Sequence, residues 1–100
     1  MNLINSIKEL PKNVSIHIYG AGSFGMMLHD SIVFYRPDVK IVNFIDSYKT
    51  GDYLNLPIIN VHKFLNEHDS ENIILIAVDP VYWNEIVEYF TSVGVKQFFI

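Results

Sequence analysis

The chain contains no cysteine, so disulfide bonds, thiolate metal ligands and thiol nucleophiles are excluded. Basic residues are also few: seven Lys and Arg stand against eleven Asp and Glu, and the formal net charge is -4. This balance leaves no basic stripe for a nucleic-acid backbone, which predicts that nucleic acid is not a partner. No apolar run reaches the roughly 18 to 20 residues that cross a bilayer, and no signal-peptide core follows Met1. We therefore expect no membrane span and a cytoplasmic location.

Residue patterns that carry metals or catalysis are missing as well. His17, His29, His62 and His68 stand apart, and no two of them have a metal-ligand spacing. There is no nucleophile elbow and no defensible Ser/His/Asp order. The sequence therefore predicts no metal site and no catalytic residues within this chain, and it leaves open whether the chain serves an enzyme.

Hydrophobic residues, in contrast, are abundant. Half of the 100 residues are hydrophobic and 14% are aromatic, which is enough to build a core. We find no repeat and no linker, so residues 1–100 are expected to form a single domain. A complete dinucleotide-binding fold with a separate catalytic domain needs roughly twice this length. The chain is therefore at most one functional half and could be part of a longer protein.

Strand and helix patterns alternate along the chain. A short leading helix is predicted over 2–10, and the predicted strands cover 14–19, 40–45, 56–59, 73–78 and 97–100. Helical spacing of apolar residues follows the first, third and fourth of these strands. Such alternation is typical of βαβ units, which have right-handed crossovers. It predicts a Rossmann-like three-layer α/β domain with a parallel sheet in the order 3-2-1-4-5.

A glycine-rich turn follows the first predicted strand and opens the next helix. Its sequence, Gly20-Ala21-Gly22-Ser23-Phe24-Gly25, has the G-x-G-x-x-G pattern in the context where that pattern has a mechanism. Gly20 permits the tight turn, Gly22 lets a phosphate approach the backbone, and Gly25 lets the helix pack closely on the strand. With the N-H groups of the helix start, this turn is predicted to hold the phosphates of a nucleotide-type ligand. A sharp turn that binds nothing is the alternative.

Two acidic residues stand at predicted strand ends beside this turn. Asp46 lies about 20 residues after Gly25, which is the spacing of an acid that accepts hydrogen bonds from ribose hydroxyls. A solvated loop Asp is the alternative. Asp79 precedes Pro80 at a predicted helix start, where capping alone would explain both residues. The glycine turn and residues 78–80, which include Asp79, flank the crevice where the predicted strand order reverses.

The chain also carries a family resemblance. The residues concerned are Tyr19-Gly20-Ala21-Gly22-Ser23-Phe24-Gly25, Phe44-Ile45-Asp46, Lys49, Gly51 and Leu56-Pro57-Ile58. In these it resembles small Rossmann-like domains of bacterial sugar-nucleotide enzymes, which occur in sugar-nucleotide acetyltransferases and dehydratases and beside FkbM-type and other sugar methyltransferases. The resemblance implies a phosphate-binding glycine turn and an acid after the second strand. Many relatives have a second acid next, whereas this chain has Ser47, which can hydrogen-bond without charge.

Together these patterns predict a nucleotide or nucleotide-sugar binding module for surface-polysaccharide or sugar-nucleotide biosynthesis, with a UDP-sugar or NAD as the ligand. Two alternatives stay open: the NAD-binding half of an oxidoreductase, and a Rossmann-shaped interaction module without a ligand. A homo-oligomer or a catalytic partner domain is also open, because Met26, Val33 and Phe34 add apolar area beyond one helical stripe. The candidate binding residues are Gly20, Ala21, Gly22, Ser23, Phe24, Gly25, Asp46, Ser47, Asp79 and Pro80.

Overall fold

A computed structural model describes residues 6–67, 73–92 and 98–99, and a six-stranded sheet runs through them. The strands are β1 (Ser15–Tyr19), β2 (Lys40–Asp46), β3 (Asp52–Tyr53), β4 (Leu56–Asn60), β5 (Ile73–Ile76) and β6 (Phe98–Phe99). The helices are α1 (Ser23–Tyr35), α2 (Val61–Glu67) and α3 (Trp83–Ser92), with 3-10 turns at Ile7–Glu9 and Pro80–Tyr82. The prediction of an α/β domain is confirmed.

The strand order is β3-β4-β2-β1-β5-β6. The five predicted strands lie in the predicted order, and their pairings are parallel. The prediction of a purely parallel sheet is wrong, because β3 pairs with β4 in the antiparallel direction. Leu54 and Asn55 join these two strands with φ values of 51° and 64°, the left-handed geometry of a two-residue hairpin. No glycine stands at either turn position, and the sequence analysis predicts no strand over 52–53.

The core lies on both faces of the sheet. On one face, α1 and the leading segment cover a buried cluster of Leu10, Ile16, Ile18, Ala21, Ile32, Val39, Phe44, Ile73 and Leu75. On the other face, α2 and α3 cover Ile45, Val61, Phe64, Ile74, Ile76 and Phe90. The four residues of β5 are all buried, as expected of a strand covered on both sides. The described residues thus form three layers, as predicted.

A β-bulge interrupts the pairing of β1 with β2. Ile16 pairs with Ile41, whereas His17 pairs with Asn43, so that Val42 is the extra residue. The bulge turns Asn43 to the same face as His17, and the two buried side chains lie 2.7 Å apart from Nδ1 to Oδ1. Asn43 also donates to the carbonyl of Phe44. This bulge therefore allows a fully hydrogen-bonded polar pair inside the sheet.

The leading segment is held by one side chain, Arg36. Its guanidinium donates to the carbonyls of Ile7 and Leu10 at 2.7 and 2.9 Å, and to both carboxylate oxygens of Asp38 at 2.9 Å. The hydrogen bonds from Arg36 hold the pKa of Asp38 well below its usual range. Of the predicted leading helix, the structure shows the 3-10 turn, and residues 2–5 lie outside the described residues.

Other boundaries differ by a few residues. β5 ends at Ile76, two residues earlier than predicted, and the helix after Asp79 begins with a 3-10 turn before α3. His68 lies outside the described residues. Within the ranges that the structure describes, no helix is both long enough and apolar enough to cross a membrane.

Candidate functional site

The turn between β1 and α1 is shaped by two glycines that no other residue could replace. Gly20 has a φ of 117°, and a Cβ there would collide with the carbonyl oxygen of Ala77, just beyond β5. A Cβ on Gly25 would collide with the carbonyl oxygen of Gly20, because α1 crosses the turn in close contact. Both glycines therefore have packing reasons that hold with or without a ligand.

Gly22 differs from these two glycines. Its φ of -138° and ψ of -156° are extended values that any residue adopts. Among the described residues, a Cβ on Gly22 would contact only Lys49 Nζ, at 3.5 Å. Gly22 is also the N-cap of α1 and has no side chain to bond the first N-H groups of that helix. The backbone at this helix start is therefore open to an approaching group.

Asp46, at the end of β2, fastens this turn to the loop that follows the strand. Its Oδ2 accepts from the Ala21 N-H at 3.1 Å, and its Oδ1 accepts from the N-H groups of Tyr48 and Lys49 at 2.9 and 3.0 Å. Burial opposes ionisation of Asp46, but these three donors prevail and lower its pKa below the usual value. The carboxylate thus has most of its acceptor positions filled from within the chain.

Two further side chains reach the same turn from the segment after β2. Lys49 Nζ donates to the carbonyl of Ala21 at 2.7 Å, which places an ammonium group beside Gly22. The Tyr53 hydroxyl donates to the carbonyl of Gly22 at 3.2 Å, and its ring packs against Phe44. The β3 hairpin therefore takes part in holding the glycine turn.

A cleft of about 810 Å³ opens at the carboxyl ends of β1 and β2, on the side covered by α2 and α3. This volume lies within the roughly 300 to 1,000 Å³ of small-molecule sites. Its lining is rich in hydroxyl and aromatic groups and consists of Tyr19, Gly20, Asp46, Ser47, Tyr48, Val61, His62, Val78, Tyr82, Glu85, Ile86 and Tyr89.

Inside this cleft the Tyr19 hydroxyl lies 3.0 Å from Ser47 Oγ. Burial raises the pKa of Tyr19, so its hydroxyl stays protonated at neutral pH. His62 Nδ1 lies 3.4 Å from the Tyr89 hydroxyl. These groups are suited to hydrogen bonds with a neutral polar ligand. The described residues contain no group of three His, Asp or Glu side chains placed to hold a metal ion.

A second, smaller cavity of about 360 Å³ lies on the other side of the turn, between α1 and the end of β5. Its walls include Phe24, Leu28, Ala77, Pro80 and Trp83, and they are mainly apolar. The Asp79 side chain lies outside this lining and accepts from the Val81 N-H at 3.0 Å. Asp79 therefore has the capping bond that its position before Pro80 suggested.

The structure thus brings most of the predicted residues to the carboxyl edge of the sheet, divided between two cavities. Gly20, Asp46 and Ser47 line the larger one, and Phe24 and Pro80 line the smaller one. Several side chains of the site are not predicted from the sequence; they include Tyr53 against the turn, and His62, Glu85 and Tyr89 in the larger cleft. A hairpin signal before Leu56 would have placed Tyr53, but the others depend on how α2 and α3 pack.

The chain is similar to known proteins in structure, and not detectably in sequence. No protein-family model matches the chain, and no curated protein matches its sequence. Among solved structures, RSP, a Rex-family repressor, matches with a TM-score of 0.63 over 87% of this chain. The identity is 15%, and the matched part covers 44% of that protein, so this chain spans less than half of its length. At this identity the likeness shows the fold.

This comparison corrects two expectations. The resemblance to sugar-nucleotide enzymes is wrong as an assignment, because the solved structure reported above as similar is a Rex-family repressor. Its motifs, the glycine turn and the acid after the second strand, specify a fold that many functions share. The expectation of no nucleic-acid partner is also contradicted by this match, because the similar protein is a repressor. That expectation was based on the net charge of residues 1–100. The charge of one domain does not determine which molecules other domains of the same protein contact.

Proposed function

We propose that this chain binds a nucleotide, with a phosphate at the Gly20–Gly25 turn and the nucleoside in the larger cleft. The observation that carries the proposal is Gly22. Gly20 and Gly25 are explained by packing, whereas a Cβ on Gly22 would contact only the flexible end of Lys49, at 3.5 Å, so that among the described residues the space beside the start of α1 is otherwise open. A phosphate needs this space and these N-H groups, and an empty turn needs neither.

The charges around the turn support an anion at this place. Lys49 Nζ is 3.5 Å from the Cβ position of Gly22, on the open side of the helix start. The ammonium and the positive end of the 13-residue helix α1 attract a phosphate together. Asp46 is the nearest acid, and its carboxylate is turned to the N-H groups of Ala21, Tyr48 and Lys49.

The larger cleft supports a nucleoside rather than a second anion. Its charged lining residues are Asp46 and Glu85, both acidic, and four tyrosines supply rings and hydroxyls. A ribose and a base fit this mixture of acceptors and aromatic surface. A phosphate on the ribose 2′ oxygen would lie near Asp46, where like charges repel by roughly 1 to 4 kcal/mol. NADP is therefore expected to bind more weakly than NAD, by about fivefold or more.

The proposal is tested by titrating NAD, NADP, ADP-ribose and UDP-glucose into the parent chain and into Gly22→Val. Stabilisation by a bound ligand amounts to about 2.7 kcal/mol at a hundredfold excess over Kd. Because the backbone of Gly22 is extended, valine leaves the fold intact and blocks the approach of the phosphate. The matched control is Asp79→Ala, which loosens the neighbouring helix start and keeps the ligand. Equal affinity of the parent and Gly22→Val for the best ligand would refute the phosphate turn.

A second use, in transcriptional regulation, is favoured by the likeness to a Rex-family repressor. In such a protein the ligand would change the affinity of the whole assembly for DNA. We would select duplexes from a random DNA library on the parent chain at low salt, with and without NAD. Duplexes that the chain retains without NAD and releases when NAD is added would support this use. If the chain retains no duplex in either condition, the result would count against it.

A further inference from the structure

Helix α1 is apolar on two opposite sides. Its inner side packs on the sheet through Gly25 and Ile32, which are buried. Its outer side carries Met26, Met27, Val33 and Phe34, whose exposed fractions are 39%, 63%, 57% and 77%. Residues seven apart lie above one another after two helical turns, so Met26 and Val33 form one column and Met27 and Phe34 form another.

Helix α3 provides a comparison, because its outer side is exposed to solvent. The exposed residues of α3 include Asn84, Glu85 and Glu88, which are polar. The outer side of α3 is therefore polar, as expected of a solvated helix surface, whereas the outer side of α1 carries large apolar side chains. Aromatic and other large side chains exposed to this degree add up to several hundred Å², about the size at which surface patches mark interaction sites.

We propose that the outer side of α1 binds a helix of a partner protein, and that this partner helix carries a Lys or Arg among its apolar residues. Charge complementarity identifies the occupant. Asp30 lies between the two columns, with its side chain 67% exposed. An apolar surface laid over this face desolvates the carboxylate, which is costly unless the partner supplies a cation.

The same carboxylate disfavours a second copy of this chain. Asp30 is close to the middle of α1, so two copies of this helix related by a two-fold axis near that middle would have their Asp30 side chains close together. His29 Nδ1 lies 3.0 Å from one carboxylate oxygen, Asp30 Oδ1, yet the Asp30 side chain is still 67% exposed, so the carboxylate remains accessible to a cation brought by the partner. The two methionines suit a partner of varied shape, because their side chains adapt. None of this depends on the nucleotide site.

The test is a phage-displayed library of amphipathic helices, about 18 residues or five turns long, panned on the full chain. One central position on the apolar face varies among Lys, Arg, Gln and Glu. Basic residues should be enriched over Glu by about tenfold, and the preference should invert on Asp30→Lys. Phe34→Ala should weaken the best peptide by about tenfold or more, since exposed aromatic anchors dominate such interfaces. The matched control is Val81→Ala, which trims a side chain that is 76% exposed elsewhere.

Three results would overturn the proposal. One is a selected peptide whose affinity ignores both Phe34→Ala and Asp30→Lys. Another is a parent chain that sediments as a dimer and becomes a monomer in Phe34→Ala, which would make a second copy the occupant. The third is a library with no enriched peptide while the parent, but not Phe34→Ala, binds phosphatidylcholine vesicles, which would assign the face to a lipid surface. Equal urea midpoints of parent and variants exclude unfolding as the cause of any loss.

Discussion

Two helix starts stand side by side at the carboxyl edge of the sheet, and they are completed in opposite ways. After β5, Asp79 accepts from the Val81 N-H, and Pro80 removes one N-H from the first turn. After β1, Gly22 offers no side chain, and the first turn of α1 is uncapped. One start is satisfied by its own residues, while the other is open and has an ammonium group beside it. The difference supports the start of α1, and not the helix start after β5, as the phosphate site that we propose.

The contrast between the two helix starts can be tested by substitution, and the largest change in stability is expected at Gly25. Gly25→Ala places a Cβ against the carbonyl of Gly20 and should lower the free energy of unfolding by about 3 kcal/mol. Gly22→Ala, its control in the same turn, should stay within about 0.5 kcal/mol of the parent. Urea unfolding followed by circular dichroism measures both. Similar losses at the two positions would mean that Gly22 also has a packing reason.

Asp46→Asn should cost about 1 to 2 kcal/mol, because the charged acceptor of three N-H groups is lost, one of them in the glycine turn and two in the loop after β2. The pKa of Asp46 is lowered in the folded chain, so its contribution is present above about pH 4 and is lost as the pH falls through the lowered value. The difference in stability between parent and variant should therefore shrink in acid. Unfolding midpoints between pH 2 and 7 would show it, and a constant difference would contradict the assigned bonds.

At the closed helix start, Asp79→Ala should lower stability by about 1 kcal/mol through the loss of the cap on Val81. Affinity for the best nucleotide should be unchanged, since the Asp79 carboxylate is turned to its own helix. Parallel thermal unfolding and calorimetric titration separate the two quantities. A loss of affinity would make Asp79 a ligand contact and remove the contrast between the helix starts.

The smallest effect is expected at Lys49, whose ammonium group lies beside the open start of α1. Lys49→Met keeps the length of the side chain and removes its charge, so affinity for a nucleotide should fall about threefold to tenfold while stability changes little. The salt dependence of binding should become shallower in the variant. Calorimetry at two ionic strengths gives both values. An unchanged affinity would leave the helix start alone as the attraction for phosphate.

The sequence was most informative where one residue type has one physical meaning. Alternating apolar periods gave the order of strands and helices, and Gly20 and Gly25 gave the turn, because a side chain at either position cannot fit. Asp46 was recognised by its spacing, but its contacts were not, since they depend on how the following loop folds back. The β3 hairpin was missed because Leu54 adopts a left-handed conformation that its residue type does not suggest.

The bulge at Val42 reverses, partway along β2, the face of the sheet to which each side chain points. Side chains of a strand alternate, so Ile41 and Phe44, three residues apart, should point to opposite faces, yet both pack in the cluster beneath α1. The extra residue inverts the parity of the strand midway. Everything downstream is inverted with it, including the carboxylate that reaches the Ala21 N-H. The orientation of a residue at the rim of the cleft is thus decided three to four positions earlier, by an irregularity deep in the sheet.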